Sequence, residues 1–277
     1  SAALLRSLGF LPVISPASDS RIARYGIEHA RTDFCIARKL TTGHAKILNQ
    51  QANIKYLFNP AFIEVKADPN RKYGIYTQSE PFLINGELDL KQKPQFLPVV
   101  EFGEATVVRE SLHRELRRLK KKVRSGQLKK ALAAADQAEK DFRRALYRIG
   151  DKFLENTRGQ IAYVGLGRDY VLLDPEASSH SGAMFSQILG LDYIPQPFLA
   201  HRYEEYPIKE IASNEYWVQS VDILKANRPG KCGKTLFGGL SHHLRPLPFR
   251  KISGSAPAVS GCGRIPGSSG HGSEFGK

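Results

Sequence analysis

Apolar positions follow two rhythms along this chain. Short apolar runs recur through the first hundred residues and again after residue 157, and a long stretch of helical period lies between. Residues 7–15 (SLGFLPVIS) read as a helix end stopped at Gly9 and then a short strand. Ser18 to His29 is amphipathic and helical. Asp33 to Leu40 carries Cys35, Gly43 to Gln51 reads as a helix that starts at Gly43, and Ile54 to Ile63 reads as a strand and its exit. A polar loop (KADPNRK) leads to the short apolar runs Tyr73–Gln78 and Pro81–Ile84, where QSEPFLI is strand-like. Short runs alternating with helices predict βαβ-type organisation.

Residues 104–155 are rich in Arg, Lys, Glu, Leu and Ala and contain no Pro. They predict one long helix broken near Ser125-Gly126, or a helix pair joined there. Ala131, Leu132, Ala135, Ala138, Phe142, Ala145, Leu146 and Ile149 fall at three- and four-residue steps and give one apolar face. The stretch RRLKKKVR, Arg117 to Arg124, is either a phosphate-binding patch or a solvated helix face, and the second is the commoner use of such a run.

Ile161 to Gly165 (IAYVG) is a compact buried strand. A loop with Gly165, Gly167 and Asp174-Pro175 follows, then a helix from Ser181 or Gly182 to a stop at Gly190, and a strand from Asp192 to Pro195. The two glycines suit close backbone approach and the helix N-terminus could hold an anion; a plain strand-to-helix connection fits the same residues. Asn214 to Ala226 predicts an amphipathic helix capped by Ser213 or Asn214. The fold class is therefore α/β, with Rossmann-like subdomains built on parallel sheets and an intervening long helical segment. The expected divisions are a first α/β subdomain over 1–103, a helical connector over 104–156, a second α/β subdomain over 157–228 and an irregular basic tail over 229–277.

The 277 residues, 41% of them hydrophobic, suffice for a packed core, and no apolar run approaches the roughly 18 residues of a membrane span. There is no signal-peptide pattern. The chain opens on Ser1 in what reads as mid-element sequence, so an N-terminally truncated fragment is expected. Cys35, Cys232 and Cys262 are too few and too scattered for a disulfide framework, so a reducing, cytoplasmic compartment is expected.

The formal charge is +14, and much of it sits in the tail. Residues 229–277 hold seven Lys or Arg and one Glu, about +6, in Gly-, Ser-, Pro- and His-rich sequence without sustained period. One reading is a disordered basic tail; another is a nucleic-acid or metal-binding arm through Cys232, His242 and His243. We favour a third, a frameshift. With permitted codons the +1 frame from Gly230 can read a helix end, a buried strand and an F-G-P-C-P loop. The basic excess then falls to about +8, and nucleic acid is a disfavoured partner.

Two passages resemble one family. In the first, GFLPVISPASDSRIARYGIEHARTDFCIARKLTTGHAKIL followed by NIKYLFNPAFI, the matching residues are Cys35, Lys39, Gly43, His44, Phe58 and Pro60. In the second, GLGRDYVLLDPEASSHSGAMFSQILGLDYIPQPFL, they are Gly167, Arg168, Tyr170, Asp174, Pro175 and Gly182. The family is that of proteins related to the activators of 2-hydroxyacyl-CoA dehydratases, in the benzoyl-CoA reductase and 2-hydroxyglutaryl-CoA dehydratase system. The resemblance implies a cytoplasmic protein of anaerobic bacteria, built from Rossmann-like subdomains. It also implies a link to an ATP-driven activator that passes low-potential electrons through an iron–sulfur cluster of the 4Fe–4S kind. The family's ATPase half precedes this region. The implied partners are an acyl-CoA dehydratase or reductase component, or its ATPase activator, with a second copy of the chain as a further candidate.

Two departures matter. Ala37 stands where the family usually has Pro, and KYGIYTQSEP has Thr77 and no Cys where a second cysteine is expected. A cluster needs about four thiolates, so any cluster is shared between subunits, or this member has lost it. Cys35 lies near Arg38, Lys39 and His44, cations that favour a thiolate metal ligand; a structural cysteine is the alternative. His44, after Gly43 at the expected helix start, reads as a structural or capping group ahead of the alternative, a metal ligand. Arg168, with Gly167 and Asp174, is the candidate cofactor-binding group, able to hold an anion such as a CoA phosphate. No Ser-His-Asp, HExxH or Walker-type sequence pattern is present, so no catalytic residue is assigned. The alternative function is a non-enzymatic α/β binding or scaffold module that engages an anionic partner through Arg117–Arg124.

Overall fold

A computed structural model describes residues 2–65, 71–88, 93–205, 215–227 and, for the backbone alone, 239–240. These belong to a compact unit, Ser1–Leu244, and the second unit, Arg245–Lys277, lies outside the described residues. So do Ser213, Asn214, Cys232, His242, His243 and Cys262, and with them nearly all of the tail.

The chain is a mixed α/β protein. Its helices are α1 (Ala2–Ser7), α2 (Ser20–His29), α3 (Ile36–Gln50), α4 (Ile75–Glu87), α5 (Ala105–Arg118), α6 (Ser125–Asn156), α7 (Asp169–Leu172), α8 (Ser181–Ala183) and α9 (Val218–Ala226). The strands are β1 (Leu57–Phe58), β2 (Ala61–Val65), β3 (Arg71–Lys72), β4 (Gln95–Phe96), β5 (Val99–Phe102), β6 (Tyr163–Gly165), β7 (Tyr193–Pro195) and β8 (Gly239–Leu240). β1 pairs in parallel with β4. β2 lies between antiparallel β3 and parallel β5, and β6 lies between parallel β7 and β8.

The differences from the sequence reading have physical causes. No strand forms over 10–15: Gly9 turns the chain out of α1 at φ +76°, and Leu11 and Ile14 are 91% and 75% exposed. The run Ile54–Ile63 splits at Asn59-Pro60 into β1 and β2, which enter different sheets. The runs Tyr73–Gln78 and Pro81–Ile84 are not strands but one helix, α4, which carries Pro81 inside it. The expected helix after Ser181 is a single α-turn followed by a π-helical turn, Met184–Ile188. Helix α9 starts at Val218, behind a Trp217 cap.

Residues 105–156 form a helix pair, as one of the two readings has it, but RRLKKKVR is not a helix face: only Arg117 and Arg118 are helical, and residues 119–124 connect the two helices. Helix α5 ends at Arg118, and Ser125 starts α6. The buried side of α5 is tied to the strands beside it: Val99 N–H donates to Ser111 Oγ at 2.8 Å and Leu97 N–H donates to Glu115 Oε2 at 2.9 Å. Leu112 and Leu116 join Leu4, Leu8, Phe96, Leu128 and Ala131 in one core. Each such leucine contributes about 2 kcal/mol by burial. A second core gathers Val164, Leu166, Ile194, Leu199, Tyr203 and Ala226. Helix α6 is long enough, about 48 Å, to reach both. It buries Leu128 and Ala131 at one end and packs Phe153 and Leu154 at the other, while Phe142 and Ile149 on its predicted apolar face stay 54% and 55% exposed.

Candidate functional site

Helices α2 and α3 cross at backbone contact, and glycine makes that possible. A Cβ on Gly26 would lie 2.0 Å from the Lys39 carbonyl oxygen, and one on Gly43 would lie 2.1 Å from that of Ile22. Gly43 and His44 therefore sit in the middle of α3 and do not begin a helix, which corrects the expectation for His44. Asp19 caps α2 by accepting from Ile22 N–H at 2.8 Å, and Ser18, the residue before it, is 8% exposed. Ile22 and Leu40 from this helix pair then pack with Ala177, from the loop after α7.

Three polar side chains meet at that contact. Ser18 Oγ donates to Asp174 Oδ2, and Ala177 N–H donates to Asp174 Oδ1 at 2.8 Å. Ser18 Oγ lies 3.0 Å from His44 Nε2. The hydroxyl proton is committed to the carboxylate, so His44 Nε2 carries the hydrogen of that bond. His44 Nδ1 is then the unprotonated nitrogen, and it is buried with no partner among the described residues. Burial pushes the His44 pKa below its ordinary value, and the charges of Asp174 and Asp19 oppose that shift.

The order is Asp–Ser–His, with serine in the middle. A hydrolytic triad places the imidazole in the middle so that it can take the serine proton. Here the proton goes to the carboxylate and the hydroxyl is buried, so the three residues form a polar tie. It joins His44 of the first family-like passage to Asp174 of the second. Ser18 belonged to no motif in the sequence; its only local signal was its place beside a helix cap.

The other candidate residues of the second passage have partners of their own and are not drawn to Asp174. Gly167 is buried and its N–H reaches Gln196 Oε1 at 3.3 Å. The space a side chain would fill at Gly165 is taken by the Tyr193 hydroxyl, 2.1 Å away, and at Gly167 by Leu172, 3.2 Å away. Arg168 is exposed and donates to Tyr170 Oη at 2.8 Å. Asp174 is spent on Ser18 and Ala177.

Cys35 is exposed and precedes α3, nine residues before His44 and about 13 Å away along the axis. The first turn of α3 carries a buried ion pair that sequence reasoning missed. Arg38 Nη2 and Glu87 Oε2 are 2.9 Å apart, with side chains 2% and 9% exposed. Thr42 Oγ1 donates to the same carboxylate oxygen at 2.6 Å, and the Arg38 guanidinium lies 5.2 Å from the Phe34 ring centre. Glu80 is nearby, and burial raises its pKa, with Thr41 and Arg38 acting against that. Among the described residues no group of three or more His, Cys, Asp or Glu side chains could hold a metal ion. Cys35 alone does not fit a cluster that needs about four thiolates. No helix among the described residues is long and apolar enough to cross a membrane.

Comparison with known proteins adds one finding. Residues 1–198 match the family model described as CoA enzyme activase uncharacterised domain (DUF2229). No curated protein and no solved structure matches the chain.

Proposed function

Because the chain belongs to the family of the CoA enzyme activase uncharacterised domain, we propose that it is a component of an ATP-linked, iron–sulfur activation and electron-transfer system. The system serves enzymes of the 2-hydroxyacyl-CoA dehydratase or benzoyl-CoA reductase kind, in the cytoplasm. The observation that carries this reading is the family match over residues 1–198. ATP hydrolysis is the work of the ATPase half that the family resemblance places before this region. The chain's share is to dock on the dehydratase, reductase or activator. Cys35, exposed at the start of α3, is available as one thiolate of a cluster whose remaining ligands come from the partner or a second copy. Arg168, with Gly167 beside it, is the group offered to a CoA phosphate.

The test uses the full chain, purified without oxygen, with a purified 2-hydroxyacyl-CoA dehydratase and its ATP-dependent activator. Gel filtration should show a complex, and ATP-dependent dehydration of the 2-hydroxyacyl-CoA should rise when the chain is added. Iron and sulfide in the complex should fall in Cys35→Ser. No complex and no change in dehydration rate would overturn the reading.

A further inference from the structure

The outward side of α5 carries chemistry that the family reading leaves unused. Ser111, Leu112, Glu115 and Leu116 face inward and are buried. Arg109, His113 and Arg117 follow one another at four-residue steps on the other side, with Arg114 beside them, and all four are exposed. Together with Ser125 and Leu128 of α6 they line a cavity of about 470 Å³ in the elbow between the two helices. Glu110 is the one acidic residue of that lining.

The cations here are uncompensated. Among the described residues, Arg109, Arg114 and Arg117 have no carboxylate within ion-pair distance, whereas Lys140, Arg143 and Arg144 farther along α6 each have an acidic neighbour. The carboxylate of Glu115 is turned to the other side, where it pairs with Arg118 and holds Leu97 N–H. The turn between the helices adds positive charge, with Lys120, Lys121 and Lys122 in sequence. Ser125 and Gly126 open a 32-residue helix, and theirs are the amides left over at its start, since Gln127 N–H and Leu128 N–H donate to the Arg124 carbonyl oxygen. A side chain on Gly126 would meet nothing within 4 Å, so that first turn is open.

We propose that the α5–α6 elbow is a binding site for a small di- or triphosphate ligand. Guanidinium groups recognise phosphate oxygens in pairs. Arg109 to Arg117 spans about 12 Å of helix, a length that suits two or three linked phosphates. The volume is in the range of small-ligand pockets, roughly 300–1,000 Å³. A volume of about 470 Å³ matches a small ligand better than a polymer. The site stands on these residues alone and is independent of the activation system.

Calorimetric titration of the full chain with pyrophosphate and with ADP tests it. Saturable binding of both is expected, weakened about tenfold or more in Arg114→Ala/Arg117→Ala and unchanged in Arg148→Ala, which removes a charge from an exposed position elsewhere on α6. Two results would overturn the site: no saturable binding of either probe, or equal binding in the two variants. So would tight binding of a single-stranded oligonucleotide that pyrophosphate does not displace, since that assigns the elbow to a polymer.

Discussion

Asp174 accepts the hydroxyl hydrogen of Ser18 across 156 residues of sequence, inside a contact that also holds His44. Replacing Asp174 with Ala leaves both the Ser18 hydroxyl and the Ala177 N–H without their acceptor, and should cost about 2–3 kcal/mol in urea unfolding. Ser18→Ala leaves a carboxylate oxygen and the His44 N–H without partners, and should cost about 1–2 kcal/mol. The double variant should cost less than the sum of the two by roughly 1 kcal/mol, because the residues share one bond. Strict additivity would mean that the pair is not coupled in solution.

Gly43 and Gly86 both lie inside helices and should respond in opposite directions. A methyl group on Gly43 meets the Ile22 carbonyl oxygen at 2.1 Å, so Gly43→Ala must push α2 and α3 apart. The expected loss is about 3 kcal/mol. A methyl group on Gly86 meets nothing within 4 Å, so Gly86→Ala should gain about 0.5–1 kcal/mol by the ordinary helix preference. Thermal unfolding of the two variants gives the signs. A neutral Gly43→Ala would show that the crossing is looser than described.

These glycines also show what the sequence could and could not disclose. Gly26 and Gly43 interrupt helical patterns, which is a local sign of close packing, but nothing in their neighbours says which helix approaches. The helix pair at 105–156 was legible because its period persists over many turns. Helix α4 was not, because Pro81 and short apolar runs imitate two strands, and only burial of Ile84 against Leu57 and Leu88 decides the matter. At the site, Cys35, His44 and Asp174 were visible as residue types in short motifs. Ser18 and Glu87 were not, and Arg38 was visible only as a cation near Cys35, since each matters through a partner far away in sequence: 156 residues for Ser18 and 49 for Arg38.

Arg38 and Glu87 make a buried ion pair, and burial sets what its loss should cost. Neither charge can turn to water, so Arg38→Met leaves the Glu87 carboxylate, 9% exposed, with Thr42 as its remaining donor. The expected loss is about 3–5 kcal/mol. Arg38→Met combined with Glu87→Leu removes both desolvated charges and should recover most of that loss. Chemical denaturation of the single and double variants measures the difference. If the double variant is as unstable as Arg38→Met, the cost comes from lost packing against Phe34 and not from an unpaired charge.

His44 should give the tie a pH dependence of definite sign. In the unfolded chain a histidine takes up its proton near pH 6.5. In the folded chain burial lowers the His44 pKa, against the pull of Asp174 and Asp19. Above about pH 7 the ring is neutral in both states and contributes no dependence. As the pH falls below about 6.5 the unfolded chain binds a proton that the folded chain refuses. Stability is then lost at up to about 1.4 kcal/mol per pH unit, until the folded pKa is reached. His44→Gln keeps a donor for Ser18 and does not titrate. Other groups contribute alike to both proteins, so the comparison isolates this ring. Urea unfolding at pH 7.5 and pH 5 should show the stability gap between the native chain and His44→Gln shifting toward the variant on acidification. A gap that stays constant would mean that His44 titrates in the folded chain as it does in the unfolded one, which the buried Nδ1, without a partner among the described residues, argues against.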